Sequence, residues 1–97
     1  MEFIGTILKI YDIKSGENEN GTWRVCQILV RDNTQMYGQS LLIDVWDAWI
    51  DVVAQKIGHV VKCQLDCRVR TFETVDKNGE VVKRESNNIR LMSALDL

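Results

Sequence analysis

The clearest pattern in the chain is an alternation of side chains between His59 and Glu73. Every second residue is apolar or small, and most of those between are charged or carry an amide. Because successive side chains of a strand point to opposite faces, this spacing predicts a strand with one buried side. That side is predicted to hold Val61, Cys63, Leu65, Cys67, Val69 and Thr71.

Four other segments also have extended patterns. Residues 3–13 are rich in Ile, Leu, Phe and Tyr, and residues 22–31 and 40–46 alternate. The turn formers of Ser15–Gly21 predict a loop between the first two strands, and residues 32–39 predict a second loop. Asp76–Gly79 contains Asn-Gly, which tolerates the positive φ angles of tight hairpins, and therefore predicts a return into a fifth strand. Ile89 and Leu91 are expected to point inward on that strand.

The period changes after the third predicted strand. Apolar residues then follow the i, i+3, i+4, i+7 spacing of a helix, at Ile50, Val53, Ala54 and Ile57. Asp47 is a candidate N-cap, and Gly58 is a stop signal. One helix of about three turns is predicted.

Three strands, a short helix and a long hairpin follow one another in the order of the OB fold. We therefore expect an all-β protein, a five-stranded OB-fold barrel with one short helix between strands 3 and 4. An SH3-like barrel also has five strands but lacks such a helix at this position. The 97 residues suit one core, so residues 1–97 are expected to form a single domain.

Charge and cysteine content narrow the class of protein. The net charge of −2 and a pI near 5.3 give no global attraction to nucleic acid, so a polyanion site needs locally segregated Lys and Arg. The N-terminal residues lack a signal-peptide pattern and no apolar run reaches membrane-spanning length, which predicts a cytoplasmic protein with no membrane partner. On one strand, Cys63 and Cys67 would lie roughly 13 Å apart, too far for a disulfide or a shared metal. With Cys26, they are expected to be buried thiols.

Catalysis finds little support in the sequence. His59 is the single histidine, and it has no positioned nucleophile or carboxylate partner in the pattern. Neither a Gly-rich phosphate loop nor a dinucleotide fingerprint occurs. We therefore expect a protein that is not an enzyme and needs no cofactor or metal.

Aromatic and basic residues are candidates for a site that binds single-stranded nucleic acid. Such sites combine flat rings on which bases stack with cations along the phosphate track. The candidates lie at strand ends, on outward positions and on the last hairpin: Trp23, Arg24, Trp46, Arg68, Arg70, Phe72, Lys83 and Arg84. Each also has a plainer interpretation, since Trp46 or Trp23 can pack under a loop and arginines often mark a solvated strand face. Trp49 is expected to serve packing or a subunit contact, and Tyr11 and Tyr37 are weaker candidates.

Residues 42–51, LIDVWDAWID, resemble the strand-to-helix segment of bacterial and phage single-stranded-DNA-binding proteins. The segments 21–24, GTWR, and 88–91, NIRL, are similar to small bacterial and phage domains of the same fold. The resemblance implies strand binding, with Lys77, Lys83 and Arg84 on a hairpin arm that closes over the strand. The chain departs from the family in two respects. The family usually has Gly where this chain has Asp47, and it usually has an acidic C-terminal tail, which this sequence does not show after the last predicted strand.

The sequence therefore favours a non-catalytic protein that binds single-stranded DNA in replication or recombination, working as a homodimer or homotetramer. RNA is a smaller alternative, because stacking alone does not distinguish the two sugars. A different alternative is an OB-fold protein-interaction or assembly module that binds no nucleic acid. Leu29 and Leu42, outward by alternation, are candidates for a dimer face.

Overall fold

The computed structural model describes residues 1–33 and 39–97, so Tyr37 and most of the predicted second loop lie outside the described residues. The protein is mostly β with one short helix, and in this respect the prediction is confirmed. Within the described ranges the elements are β1 (Glu2–Ile10), β2 (Lys14–Asn18), β3 (Gly21–Asp32), β4 (Ser40–Trp46), α1 (Ala48–Ala54), β5 (Val60–Val75) and β6 (Val81–Asp96).

Five of the strands form a closed circuit of hydrogen-bonded neighbours. β1 pairs with β3 and β5, β5 with β6, β6 with β4, and β4 with β3. The pairing of β4 with β6 is parallel, at Asp44 and Arg90, and the other pairings are antiparallel. Each of these strands therefore has partners on both sides over part of its length.

The core lies inside this circuit and matches the predicted alternation over most of its length. Ile28 of β3, Ile43 of β4 and Val61 of β5 are fully buried. The helix adds Ile50 and Val53 to the same cluster. The alternation predicted for residues 22–31, for residues 40–46 and for the first part of residues 59–73 therefore does mark a buried face on β3, β4 and β5.

β2 overlaps the segment predicted to be a loop, Ser15–Gly21. It pairs with β3 from Lys14 opposite Val25 to Asn18 opposite Gly21, where Gly21 takes a φ of 118° that favours glycine. Asn18 Oδ1 accepts a hydrogen bond from the backbone N–H of Asn20, 2.9 Å away. The loop prediction is wrong because this strand is largely exposed and has no apolar side to produce an alternation.

The helix is shorter than predicted. It ends at Ala54, and the chain turns to bond with β1, where Gly58 N–H donates to the Ile7 carbonyl at 2.7 Å. Ile57 therefore leaves the apolar face of the helix and is 45% exposed. Asp47 stands at the N-cap position, but its side chain makes no capping hydrogen bond.

Beyond Leu65, β5 pairs only with β6 among the described residues, and the two strands continue as a ribbon. We call this ribbon, residues 66–75 and 81–90, the arm. The prediction that Cys67, Val69 and Thr71 point into the core is wrong, since all three are exposed. Nothing within the described ranges forms a second layer over these positions, so alternation along the arm does not mark burial.

Cys26 and Cys63 are buried, and burial raises the pKa of Cys63 to about 11.

No helix in residues 1–33 and 39–97 is long and apolar enough to cross a membrane.

Candidate nucleic-acid interface

Two tryptophans meet at the end of the β3–β4 ladder. Trp46 is the register partner of Val25, and Trp23 lies two residues before Val25 on the same face of β3. The Trp23 and Trp46 ring centroids are 6.0 Å apart, with an interplanar angle of 55°. Both side chains are half-buried, so part of each ring remains available to a ligand.

An open groove of about 520 Å³ runs past this pair. Its walls include Tyr11, Lys14, Trp23, Asp44, Trp46 and Arg70. The groove thus brings together three residues that the sequence nominated from separate strands, Trp23, Trp46 and Arg70. It also contains Lys14, which the sequence did not nominate because β2 was not predicted.

The groove carries charges of both signs. Its carboxylates are Asp12 and Asp44, and its cations are Lys14 and Arg70. Gln27 Nε2 donates a 3.4 Å hydrogen bond to Asp44 Oδ1. The groove alone therefore offers little net attraction to a polyanion.

One face of the arm is rich in arginine. Alternation places Arg68, Arg70 and Phe72 on the same face, and Phe72 is the direct register partner of Arg84. Arg90 shares this face through its pairing with Asp66. We call this set the arginine face, namely Arg68, Arg70, Phe72, Arg84 and Arg90.

The side chains of the arginine face are largely open to solvent. Arg68 Nε donates to Asp66 Oδ2 at 2.8 Å, yet the Arg68 side chain is 76% exposed. Arg84 Nε donates to Thr74 Oγ1 at 3.2 Å. Because Arg70 belongs both to this face and to the groove, the two surfaces are continuous.

Lys83 lies apart from the other nominated residues of the arm. Its register partner is Glu73, which alternates with Phe72 and so points to the other side of the ribbon. The arm therefore separates Lys83 from Arg84, although the two are neighbours in sequence.

Arg24 is held by carboxylates of the helix region. Its Nη2 donates to Asp51 Oδ2 at 3.0 Å and to the Asp47 carbonyl at 3.3 Å. Its backbone N–H donates to Asp47 Oδ1 at 3.0 Å, and Asp47 N–H donates to the Arg24 carbonyl at 3.0 Å. The hydrogen bond that Arg24 donates to Asp51 and the negative charge of that carboxylate raise the pKa of Arg24. Arg24 therefore joins β3 to α1 beside the tryptophan pair.

Asp47 has a backbone conformation that glycine favours, with φ 51° and ψ −123°. A non-glycine residue in such a region costs of order 1–3 kcal/mol unless its surroundings stabilise it. Here the Asp47 carboxylate accepts the Arg24 N–H, a bond that glycine could not make. The departure from the resembled family at this position thus coincides with the junction that Arg24 completes.

Gly16 of β2 supports the ring of Trp23. A Cβ at Gly16 would lie 2.4 Å from Trp23 Cζ2 and 2.7 Å from Cε2, so the ring rests directly on the glycine. We expect Gly16→Ala to displace Trp23 from Trp46 and to lower the free energy of unfolding by about 1–3 kcal/mol, the usual cost of overpacking. Circular dichroism would detect the loss of coupling between the two indoles, and urea unfolding would give the stability.

The control for Gly16→Ala is Ser15→Ala, at the exposed preceding residue of β2, which adds no atom because alanine has one heavy atom fewer than serine. An indole signal that is the same in Gly16→Ala and in the unsubstituted protein would contradict this account of the contact.

Trp49 and His59 lie outside the groove. Trp49 is half-buried and packs against the core cluster, in agreement with the packing role expected from the sequence. His59 has a carboxylate partner that the sequence pattern did not show, since its Nδ1 is 3.2 Å from Asp96 Oδ1. Lys56 Nζ is 2.7 Å from Asp96 Oδ2. Hydrogen bonds from Lys56 and His59 lower the pKa of Asp96, so this exposed cluster is a charge network on the helix side.

No protein-family model and no curated protein sequence matches the chain. The geometry of the groove and of the arm therefore carries the functional argument.

Proposed function

We propose that this protein binds single-stranded DNA without catalysis, as an OB-fold domain acting in replication or recombination. Bases stack on Trp23 and Trp46, and phosphates contact the arginine face. The observation that carries the proposal is the convergence of Trp23, Trp46 and Arg70 on one open groove.

The strand order supports the OB-fold part of the proposal. If the short β2 is set aside, the circuit runs β1, β3, β4, β6, β5 and back to β1, with α1 between β4 and β5. OB domains bind oligonucleotides on their second and third strands and between two loops. The corresponding strands here are β3 and β4, which carry the two tryptophans.

The chemistry of the groove favours single strands over duplex. Stacking on a protein aromatic ring requires an exposed base face, and the faces within a duplex are already stacked on their neighbours. Each such contact contributes roughly 1–3 kcal/mol. Two tryptophans and the arginine face can therefore give useful affinity in a chain whose net charge is −2.

Titration of a fluorescently labelled oligo-dT at low salt tests the proposal. We expect saturable binding, quenching of tryptophan fluorescence, and weaker binding to a duplex of the same length. Equal affinity for the duplex, or no binding at low salt, would overturn the proposal. Oligo-U in the same assay decides between DNA and RNA as the preferred strand.

The contacts of Arg24 give a second expectation for the same assay. Because its guanidinium is engaged by Asp51 and Asp47, Arg24→Gln should leave the dependence of affinity on salt concentration unchanged. A direct phosphate ligand would instead reduce the slope of log K against log salt by about 0.7 when removed.

Asp51→Asn is the companion variant to Arg24→Gln. It weakens the same ion pair from its other side while removing a negative charge. If Arg24 joins β3 to α1, both variants should lower the urea midpoint and neither should reduce the salt slope. A reduced slope in Arg24→Gln alone would make Arg24 a phosphate ligand, as the sequence suggested.

A protein-interaction module is the second candidate function. The observation in its favour is a set of exposed apolar side chains on the side of the arm opposite the arginine face, including Val69, Val75 and Val81. This surface and nucleic-acid binding are compatible, because they use different sides of the ribbon.

A further inference from the structure

The side of the arm that faces away from the arginines is apolar at both ends. Val69, Val75 and Val81 are 63%, 69% and 64% exposed, and Val75 is the register partner of Val81. Cys67 and Ile89 form the pair nearest the core, and Ile89 packs against the core cluster, as its predicted inward position requires. We call the exposed surface beyond this pair the valine face, namely Val69, Val75 and Val81 with the Thr71–Glu85 and Glu73–Lys83 pairs between them.

Charged residues lie in the middle of the valine face. Glu73 is directly opposite Lys83, and in the next pair towards the core Thr71 is opposite Glu85. The pair beyond that joins Val69 to Asn87. From the core outward, the face therefore runs from an apolar residue, through two pairs that together carry three charges, to apolar residues again.

We propose that the valine face packs against the valine face of a second copy of the chain. In a two-fold interface the same patch meets itself, so the patch must be complementary to its own rotated image. The charges of the valine face meet this condition. Lys83 has Glu73 opposite it on the neighbouring strand and Glu85 two residues along its own strand.

Two rotations bring the faces together. A two-fold axis across the strands, between the Thr71 and Glu73 pairs, places Lys83 over the partner's Glu85 and Val69 over the partner's Val75. An axis along the strands instead places Lys83 over the partner's Glu73 and Val75 over the partner's Val81. In both arrangements the cation meets an opposite charge while valines are covered. The right-handed twist of each ribbon brings the central pairs closest, where these charges lie.

This contact leaves the arginine face of each copy pointing outward. A dimer therefore presents two grooves to one strand, which raises the apparent affinity through effective concentration. The proposed contact itself does not depend on nucleic-acid binding, and its test uses the protein alone.

Sedimentation velocity over protein concentrations from roughly 1 µM to roughly 1 mM tests the contact, because interfaces of small area associate weakly. We expect the unsubstituted chain to dimerise within this range. Val69→Lys should raise the dimer dissociation constant by at least about tenfold, one decade of affinity. The comparison variant is Leu42→Lys, the same change at the exposed β4 position that the sequence suggested for a dimer face, and it should leave the dimer dissociation constant unchanged.

Charge reversal distinguishes the two arrangements. Lys83→Glu should weaken the dimer, and Glu85→Lys in the same chain should restore it if the axis crosses the strands. Glu73→Lys should restore it instead if the axis runs along them. A chain that stays monomeric throughout the range, or a dimer lost in Leu42→Lys but kept in Val69→Lys, would overturn the proposal. Lys83→Glu without effect would do the same.

Discussion

Replacing Trp23 and Trp46 together by alanine is expected to abolish measurable binding of oligo-dT. Each base stack contributes roughly 1–3 kcal/mol, so each single substitution should weaken binding by about 5-fold to about 150-fold. The rings lie 6.0 Å apart, and loss of one removes a wall that orients the other. We therefore expect the single losses to be coupled rather than additive. Fluorescence anisotropy of labelled DNA gives the affinities.

The control for the tryptophan variants is Trp49→Phe, which keeps a ring at a position that packs on the core. It should retain both the affinity and the quenching signal, since the responding tryptophans are those of the groove. Trp23→Phe and Trp46→Phe should recover most of the affinity because a phenyl ring still stacks. Unchanged affinity in the double alanine variant would contradict a stacking site between β3 and β4.

The core of the protein was predictable because burial on one side of a strand leaves a period of two in the sequence. Ile28, Ile43 and Val61 all follow this rule, and all are buried. The helix was predictable for the same reason at a period near 3.6, through Ile50 and Val53. The end of the helix was not predictable, because the turn after Ala54 is set by hydrogen bonds to β1, whose residues are distant in sequence.

The elements outside the core were predicted less well, for one shared physical reason. β2 and the arm beyond the Cys67–Ile89 pair have no second layer over them among the described residues, so alternation there carries no information about burial. Val69 continues the alternation of Val61 and Leu65 without interruption, yet it lies beyond the closed circuit and is exposed. A sequence pattern shows which side chains share a face, but not where the covered part of that face ends.

The candidate site was partly predictable for related reasons. Rings at strand ends, such as Trp23 and Trp46, were visible from their positions in the pattern. The binding partner of a cation was not, because Arg24 finds Asp51 only once β3 and α1 have been brought together. Because Lys83 and Arg84 are consecutive, they lie on opposite faces of a strand. Only the tertiary structure shows which face is next to the groove, namely the face of Arg84 and Arg70.

The second large effect is expected on the arginine face. Arg70→Gln combined with Arg84→Gln should weaken oligo-dT binding by at least about tenfold for each arginine, since a hydrogen bond to a charged group contributes roughly 1.5 kcal/mol or more. Arg70 lines the groove, and Arg84 flanks Phe72 on the same face. If both contact phosphates, the slope of log K against log salt should fall by about 1.4, which is about 0.7 for each contact.

Lys83→Gln provides the matched control, because it removes one positive charge from the same arm but from the other face. The measurement is made at protein concentrations at which sedimentation shows a single species, so that changes in association do not enter. If the charges act only through long-range attraction, removing any one of them should reduce the affinity for oligo-dT equally. If the arginines contact phosphates directly, the arginine variants should bind oligo-dT much more weakly than Lys83→Gln. A salt slope reduced equally by all three changes would show that the arm acts through its total charge. The arginine face would then not be a binding surface, although stacking on Trp23 and Trp46 would be unaffected by that result.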